Sequence, residues 1–244
     1  IDACSGEIAD VRKNGKKVFE DKITLNVYRA PTDNDRNVKN SWKEQRLHLA
    51  RQDAYSVKVT APDQITVEGR VASEQYVPAV KFVMKYTFRK EGVKVAVEYK
   101  YTPLREGVFL PRIGLKTVLA RDYDKIEFYG YGPQESYIDK RFACGKDIFE
   151  TTVRDSFVHY IKPQENGSHY GTGYAEISNG INTVRLQSAA GFSFCASPYS
   201  VETLAKTAHD DELPPFGDTY LYADYYMSGI GSNSCGPALA SRYR

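Results

Sequence analysis

"AVKFVMKYTFRKEGVKVAVEYKY", residues 79–101, decides the fold. Apolar and polar side chains alternate through it with a period of two, as in strands that bury one face and solvate the other. "YSVKVTA" (55–61) and "QITVEGRV" (64–71) just upstream carry the same alternation, so residues 55–100 read as an antiparallel meander. Further strands are expected at "ITLNVYRA" (23–30), "VFLPRIGLKTVLA" (108–120), "KIEFYGYG" (125–132), "YGTGYAEIS" (170–178), "INTVRLQSA" (181–189), "GFSFCAS" (191–197) and "TYLYADYYM" (219–227). Asn14-Gly15 marks a type I′ hairpin within residues 6–20, and Asn179-Gly180 marks another tight turn. Two short helices are expected. In "SWKEQRLHLA" (41–50) Ser41 and Glu44 would form a capping box, and in "SVETLAKTA" (200–208) Ser200 would be the cap.

Composition agrees with an all-β chain: aromatics make up 13% of 244 residues, and Val and Ile recur in short bursts between Gly and Pro. There is no linker or internal repeat, so a single two-layer sandwich over residues 1–244 is expected. The last stretch, "ALASRYR" (238–244), reads as a strand interrupted in progress. A net charge of +2 without a basic block gives no case for nucleic acid. No apolar run approaches the roughly 20 residues of a spanning helix, so no membrane partner is expected. Cys4, Cys144, Cys195 and Cys235 are widely separated and form no C-x-x-C pair, which favours reduced thiols.

Few residue patterns offer chemistry of their own. Asp33, Asp35, Asn37 and Glu44 match some positions of a calcium-binding loop, but Val38 stands where the turn requires glycine and a strand precedes the loop. The bland reading is a turn shaped by Asp and Asn folding back on nearby amides. Glu127, Glu135, Asp139, Glu165, Asp210 and Asp211 present no pair that stands out as acid and nucleophile. The four histidines lack metal-ligand spacing, and no G-x-S-x-G elbow is present. "YGYGPQESY" (129–137) and "SGIGSNSCGP" (228–237) follow strands and open no helix, so they suit ligand-facing loops better than phosphate cradles.

Four stretches, "RAPTDND" (29–35), "YGYGPQESY", "KPQENG" (162–167) and "SGIGSNSCGP", stand in an order and spacing that resemble the C-terminal β-sandwich of family 2 glycoside hydrolases of the β-galactosidase type, the small chain region. The resemblance covers nearly the whole sequence. It implies a large antiparallel supersandwich of the galactose mutarotase-like kind, belonging to a multidomain, homo-oligomeric, cytoplasmic enzyme that cleaves terminal β-galactosides with retention. It also implies that the catalytic glutamates and the magnesium ion sit on a separate barrel domain, so this chain has no catalytic residue, no metal and no cofactor. Its partners would be the enzyme's other domains and the β-galactoside. Asp33, Asn34, Asp35 and Asn37 would border the sugar pocket, and Asn233, Ser234 and Cys235 would line its leaving-group side. Two positions depart from the pattern of relatives. Cys235 stands where some carry tryptophan, which weakens stacking on a sugar, and Asn37 stands where glycine is frequent, so a left-handed hinge there would fall to asparagine. The chain is expected to be excised from a larger polypeptide, short of its final strand. The rival readings are a free-standing aldose mutarotase-like epimerase, needing a histidine and a carboxylate on one concave face, and a carbohydrate-binding module built on its tyrosines.

Overall fold

The computed structural model describes residues 1–73, 77–231 and 236–244. The N-terminal hairpin pairs β1 (Arg12–Lys13) with β2 (Lys16–Lys17). Asn14 and Gly15 both take positive φ, 52° and 79°, the twist a two-residue hairpin turn requires. β3 (Thr24–Asn26) is shorter than the apolar run around it. Beyond it the chain bonds to its own side chain, the Tyr28 N–H donating to Asn26 Oδ1 at 3.3 Å.

The meander forms a four-stranded antiparallel sheet in chain order: β4 (Arg51–Ala61), β5 (Gln64–Ala72), β6 (Val80–Arg89) and β7 (Gly92–Tyr101). Val80, Phe82, Met84 and Tyr86 are buried while Lys81, Val83 and Lys85 face solvent, as period two demands. The second sheet has seven strands in the order β10-β9-β11-β12-β13-β8-β3. Its members are β8 (Arg112–Leu119), β9 (Lys125–Gly132), β10 (Gly145–Thr152), β11 (His169–Ser178), β12 (Thr183–Ser197) and β13 (Thr219–Met227), with β3. The chain is thus an all-β sandwich.

One apolar cluster joins the two sheets, and two others cover the faces of the large one. Val67, Val71, Phe82, Met84 and Tyr86 of the meander meet Leu25 and Ile113 of the large sheet, with Trp42 and Leu47 closing the end. Ile126, Phe128, Ala175, Ile177, Phe194 and Leu221 cover one face of the large sheet. Cys195 and Tyr222, one residue on in the same strands, point the other way and receive α2 (Val201–Lys206) through Val201 and Leu204. Each such aliphatic or aromatic side chain contributes roughly 1.5–3 kcal/mol by leaving water.

Several elements differ from the sequence expectation. The first helix, α1 (Val38–Glu44), starts before Ser41, with Asn37 at its N-cap position in right-handed backbone, φ −92°. The capping box does not form, because Arg105 takes both side chains: its Nη2 donates to Ser41 Oγ at 2.8 Å and its Nη1 pairs with Glu44 at 2.7 Å. No left-handed hinge forms at Asn37 either. β12 is one strand of fifteen residues where two were expected, since Gly191 at φ 78° bends it without ending it. β10 was not foreseen. Residues 238–244 form no strand, only a 3-10 turn at Ser241–Tyr243. The second helix is capped as expected, Ser200 Oγ accepting from Thr203 N at 3.0 Å. Among the described residues no helix is long and apolar enough to cross a membrane.

Candidate functional site

Four loops that follow strands of the large sheet converge on an open cleft of about 430 Å³. Thr32, Asp33 and Asn34 line it from the loop after β3, Asp139 and Lys140 from the loop after β9, Tyr160, Gln164 and Glu165 from the loop after β10, and Ile230 and Gly231 from the loop after β13.

Polar side chains fix these loops to one another. Asp35 turns away from the cleft and is buried against Arg29, which reaches its Oδ2 at 2.5 Å and its Oδ1 at 3.0 Å. Asp35 Oδ2 also accepts from Thr32 N at 2.7 Å, so the tight 3-10 turn Asp33–Asp35 closes on a buried ion pair. Asp33 N donates to Gln164 Oε1 at 3.0 Å, and Asn34 Nδ2 donates to the Ile230 carbonyl at 2.7 Å, tying the turn to two other loops. Asp139 accepts from the N–H groups of Ile230 at 3.0 Å and Gly231 at 2.8 Å. That approach requires glycine at 229, where a Cβ would lie 2.5 Å from the Asp139 carboxyl carbon.

Two further carboxylates of these loops are equally engaged. Glu165 is buried, and Arg112, itself wholly buried, donates to it at 2.7 Å. Burial pushes the Glu165 carboxyl up, and the Arg112 charge pulls against that shift. Arg112 also faces Asp224 at 3.4 Å. Glu135 accepts from Lys140 Nζ at 2.5 Å, from the Tyr160 hydroxyl, and from Gly167 N at 2.8 Å. Burial draws the Lys140 ammonium down, but the Glu135 bond and charge outweigh it and leave the ammonium more firmly protonated.

Among the described residues this arrangement shapes a hollow whose carboxylates are largely engaged in its wall. Of the cleft carboxylates, Asp139 holds backbone amides and Glu165 holds a guanidinium, leaving Asp33 alone at the rim. No histidine lines the cleft among its described residues. His159 does meet Asp210 at 2.8 Å, but on the exposed surface outside the hollow. His169 lies in the core between Phe128 and Phe194. Among the described residues no group of three or more His, Cys, Asp or Glu side chains is placed to hold a metal ion.

The family described as "Beta galactosidase small chain" matches residues 1–244. The chain belongs to that family. Among curated relatives, the small chain is 35% identical over its whole length to a β-galactosidase of Actinobacillus pleuropneumoniae and 37% identical over 98% of its length to one of Staphylococcus xylosus. It is 30% identical to a β-galactosidase of Kluyveromyces lactis, again over its whole length. In each case the small chain spans only 24% of the relative, so it corresponds to about a quarter of those proteins.

Of the positions expected to border the sugar, the structure brings Asp33 and Asn34 to the cleft, keeps Asp35 behind it and leaves Asn37 exposed at the helix start. Asn233, Ser234 and Cys235 lie outside the described residues. The sequence reading missed Lys140, Tyr160 and Gln164 as cleft residues. Their signal was weak: Gln164 sits inside "KPQENG", and Lys140 and Tyr160 lie in the stretch between that motif and "YGYGPQESY".

Proposed function

We propose that residues 1–244 act as one β-sandwich domain of a larger β-galactosidase, completing the pocket of an enzyme that hydrolyses terminal β-D-galactosides with retention, and that the domain itself is non-catalytic. The observation that carries this reading is the state of the cleft carboxylates: Asp139 and Glu165 are already hydrogen-bonded into the wall, so no neighbouring pair is left to act as acid and nucleophile. In this reading the catalytic glutamates and a magnesium ion belong to another domain, which docks over the cleft and contributes its remaining walls. Identity to β-galactosidases over one quarter of their length supports the division. A homo-oligomeric enzyme in the cytoplasm completes the proposal. Cys4, Cys144 and Cys195, all free, fit a reducing compartment.

The test compares nitrophenyl β-galactoside hydrolysis by residues 1–244 alone, by the whole protein, and by the whole protein lacking this domain. Activity is expected only from the whole protein. Turnover by residues 1–244 that survives repurification refutes the reading.

A further inference from the structure

An open sheet ends in strands whose outer backbone groups are free to pair, so each of the four edges here must be blunted or covered. Three are poorly suited to pairing. β3 is only three residues long. β4 is interrupted by register shifts at Ala54/Ser56 and Val59/Ala61. β10 carries Asp147, which would face Phe149 of a second copy in the register that sets Lys146 against Glu150. β7 has none of these defences. Its ladder with β6 runs unbroken from Gly92 to Tyr101, it contains no proline, and among the described residues no strand but β6 pairs with it. Lys94, Ala96 and Glu98 face solvent, and the residues of β6 opposite the two charges are Thr87 and Val83, which offer them no counter-ion. Val93, Val95 and Val97 turn the other way and pack on the core without being fully covered, and Tyr99 is 44% exposed.

The sequence of β7 complements itself. With a second copy laid antiparallel and the twofold axis at Ala96, Val95 meets Val97 and Val93 meets Tyr99 on the inner row, while Lys94 meets Glu98 on the outer row, each pair occurring twice. Valine–tyrosine and opposite-charge pairs of this kind stabilise adjoining strands, and like charges directly opposite do the reverse. Neighbouring registers lose the match. Moving the axis to Val97 sets Lys94 against Lys100, and moving it to Val95 leaves Lys94 against Ala96 and Glu98 against Gly92. We propose that β7 is an isologous interface through which two copies of the protein join, continuing the four-stranded sheet into eight strands across a twofold axis at Ala96. The inference rests on the homo-oligomer of the proposed function and names the surface that builds it.

The test uses the whole protein and reads its mass by sedimentation velocity over a range of concentrations. Lys94→Glu and Glu98→Lys each set like charges together at both ends of the ladder, and each should weaken the association roughly tenfold or more, halving the mass of the assembly at low concentration. An equimolar mixture of the two variants restores both opposite-charge pairs and should reassemble as a heterodimer, which a variant that merely fails to fold could not do. Ala96→Cys keeps every charge and should give a disulfide-linked dimer on treatment with diamide, since directly opposed residues of antiparallel strands lie within disulfide reach, whereas wild type should not. A monomeric wild type, a mass indifferent to both reversals, a mixture that does not reassemble, or no crosslink through Ala96→Cys overturns the pairing; burial of β7 under another domain of the same polypeptide would be seen as the second and fourth of these. Hydrolysis of nitrophenyl β-galactoside by the same preparations reports on the proposed function separately: a wild-type protein that assembles through β7 but hydrolyses no galactoside sustains the pairing and removes that function.

Discussion

Replacing Asp35 by Asn tests the buried ion pair on which the cleft loop is built. Arg29 is wholly buried, and the Asp35 side chain is 5% exposed. The carboxylate accepts four hydrogen bonds, two from the guanidinium and two from Thr32. Asparagine keeps the shape but removes the charge, and its amide N–H₂ faces an Arg29 N–H in either orientation, and Thr32 N as well when it replaces Oδ2, donor against donor. Arg29 would then be a buried cation left with one amide oxygen, the Gly229 carbonyl at 3.4 Å, the Trp42 ring at 5.1 Å and the more distant charges of Glu165 and Asp224. Breaking one side of such a pair costs about 3–5 kcal/mol, a large share of the 5–15 kcal/mol of a typical folded domain. The readout is built in, since Trp42 is the sole tryptophan and is buried beside Arg29. Urea unfolding followed by its fluorescence should show the loss. The double variant Asp35→Asn with Arg29→Met should recover more than half of it, because most of the penalty is an unpaired charge and not a lost contact. A loss below about 1 kcal/mol in Asp35→Asn, within the range of exposed pairs, would refute the burial argument.

Other expectations follow from the same packing. Gly69→Ala places a Cβ 2.3 Å from the Asp53 carbonyl and 2.6 Å from the Phe82 ring, and overpacking between two strands should cost about 2 kcal/mol or more in the same unfolding assay. Gly217→Ala, with nothing within 4 Å, is the matched control and should leave the midpoint in place. Ser200→Ala removes the only side-chain cap of a six-residue helix and should cost about 1 kcal/mol. Burial holds the His169 pKa down at about 4, against 6.5 when exposed, so the unfolded chain takes up the proton first. His169 therefore contributes its full stability above pH 6.5 and loses it as pH falls towards 4, a swing on the order of 3 kcal/mol. Asp224 works in the opposite direction, its pKa raised to about 7 by burial against the pull of Arg112, so it favours the folded state below its unfolded value near 4 and that contribution fades as pH rises through 7. Comparing wild type with His169→Phe cancels the Asp224 contribution. The stability difference between them should shift in favour of the variant from pH 7 to pH 4.5, and a pH-independent difference would sink the assignment.

How much of this was legible depended on the range of the deciding contact. The meander could be read because each strand buries one face, so local alternation carries the answer. β10 is an edge strand whose residues 145–148 and 150 are all exposed, and with no buried face there is no period to read. The pattern Ser41-x-x-Glu44 satisfied the local rule for a cap, yet Arg105, some sixty residues away, takes both side chains. The cleft divides in the same way. Asp33 and Asn34 stood out as a local motif after a strand. Lys140 and Tyr160 become neighbours only when Glu135 joins two loops, and no spacing records that.

One long-range signal was nevertheless present in the sequence. Arg29 and Arg112 each stand in an apolar strand run, "NVYRAP" and "FLPRIGL", where a charge can be buried only with carboxylates buried beside it. Counting two such arginines predicts that some of the acidic residues that look like ordinary surface carboxylates are interior ones, and Asp35, Glu165 and Asp224 are those residues. The consequence reaches function. A carboxylate held by a buried arginine is fixed in position, which suits a wall that must keep its shape. Under the proposed function, the arginines that let this sheet bury acids beneath its loops are what keeps those carboxylates committed to the wall.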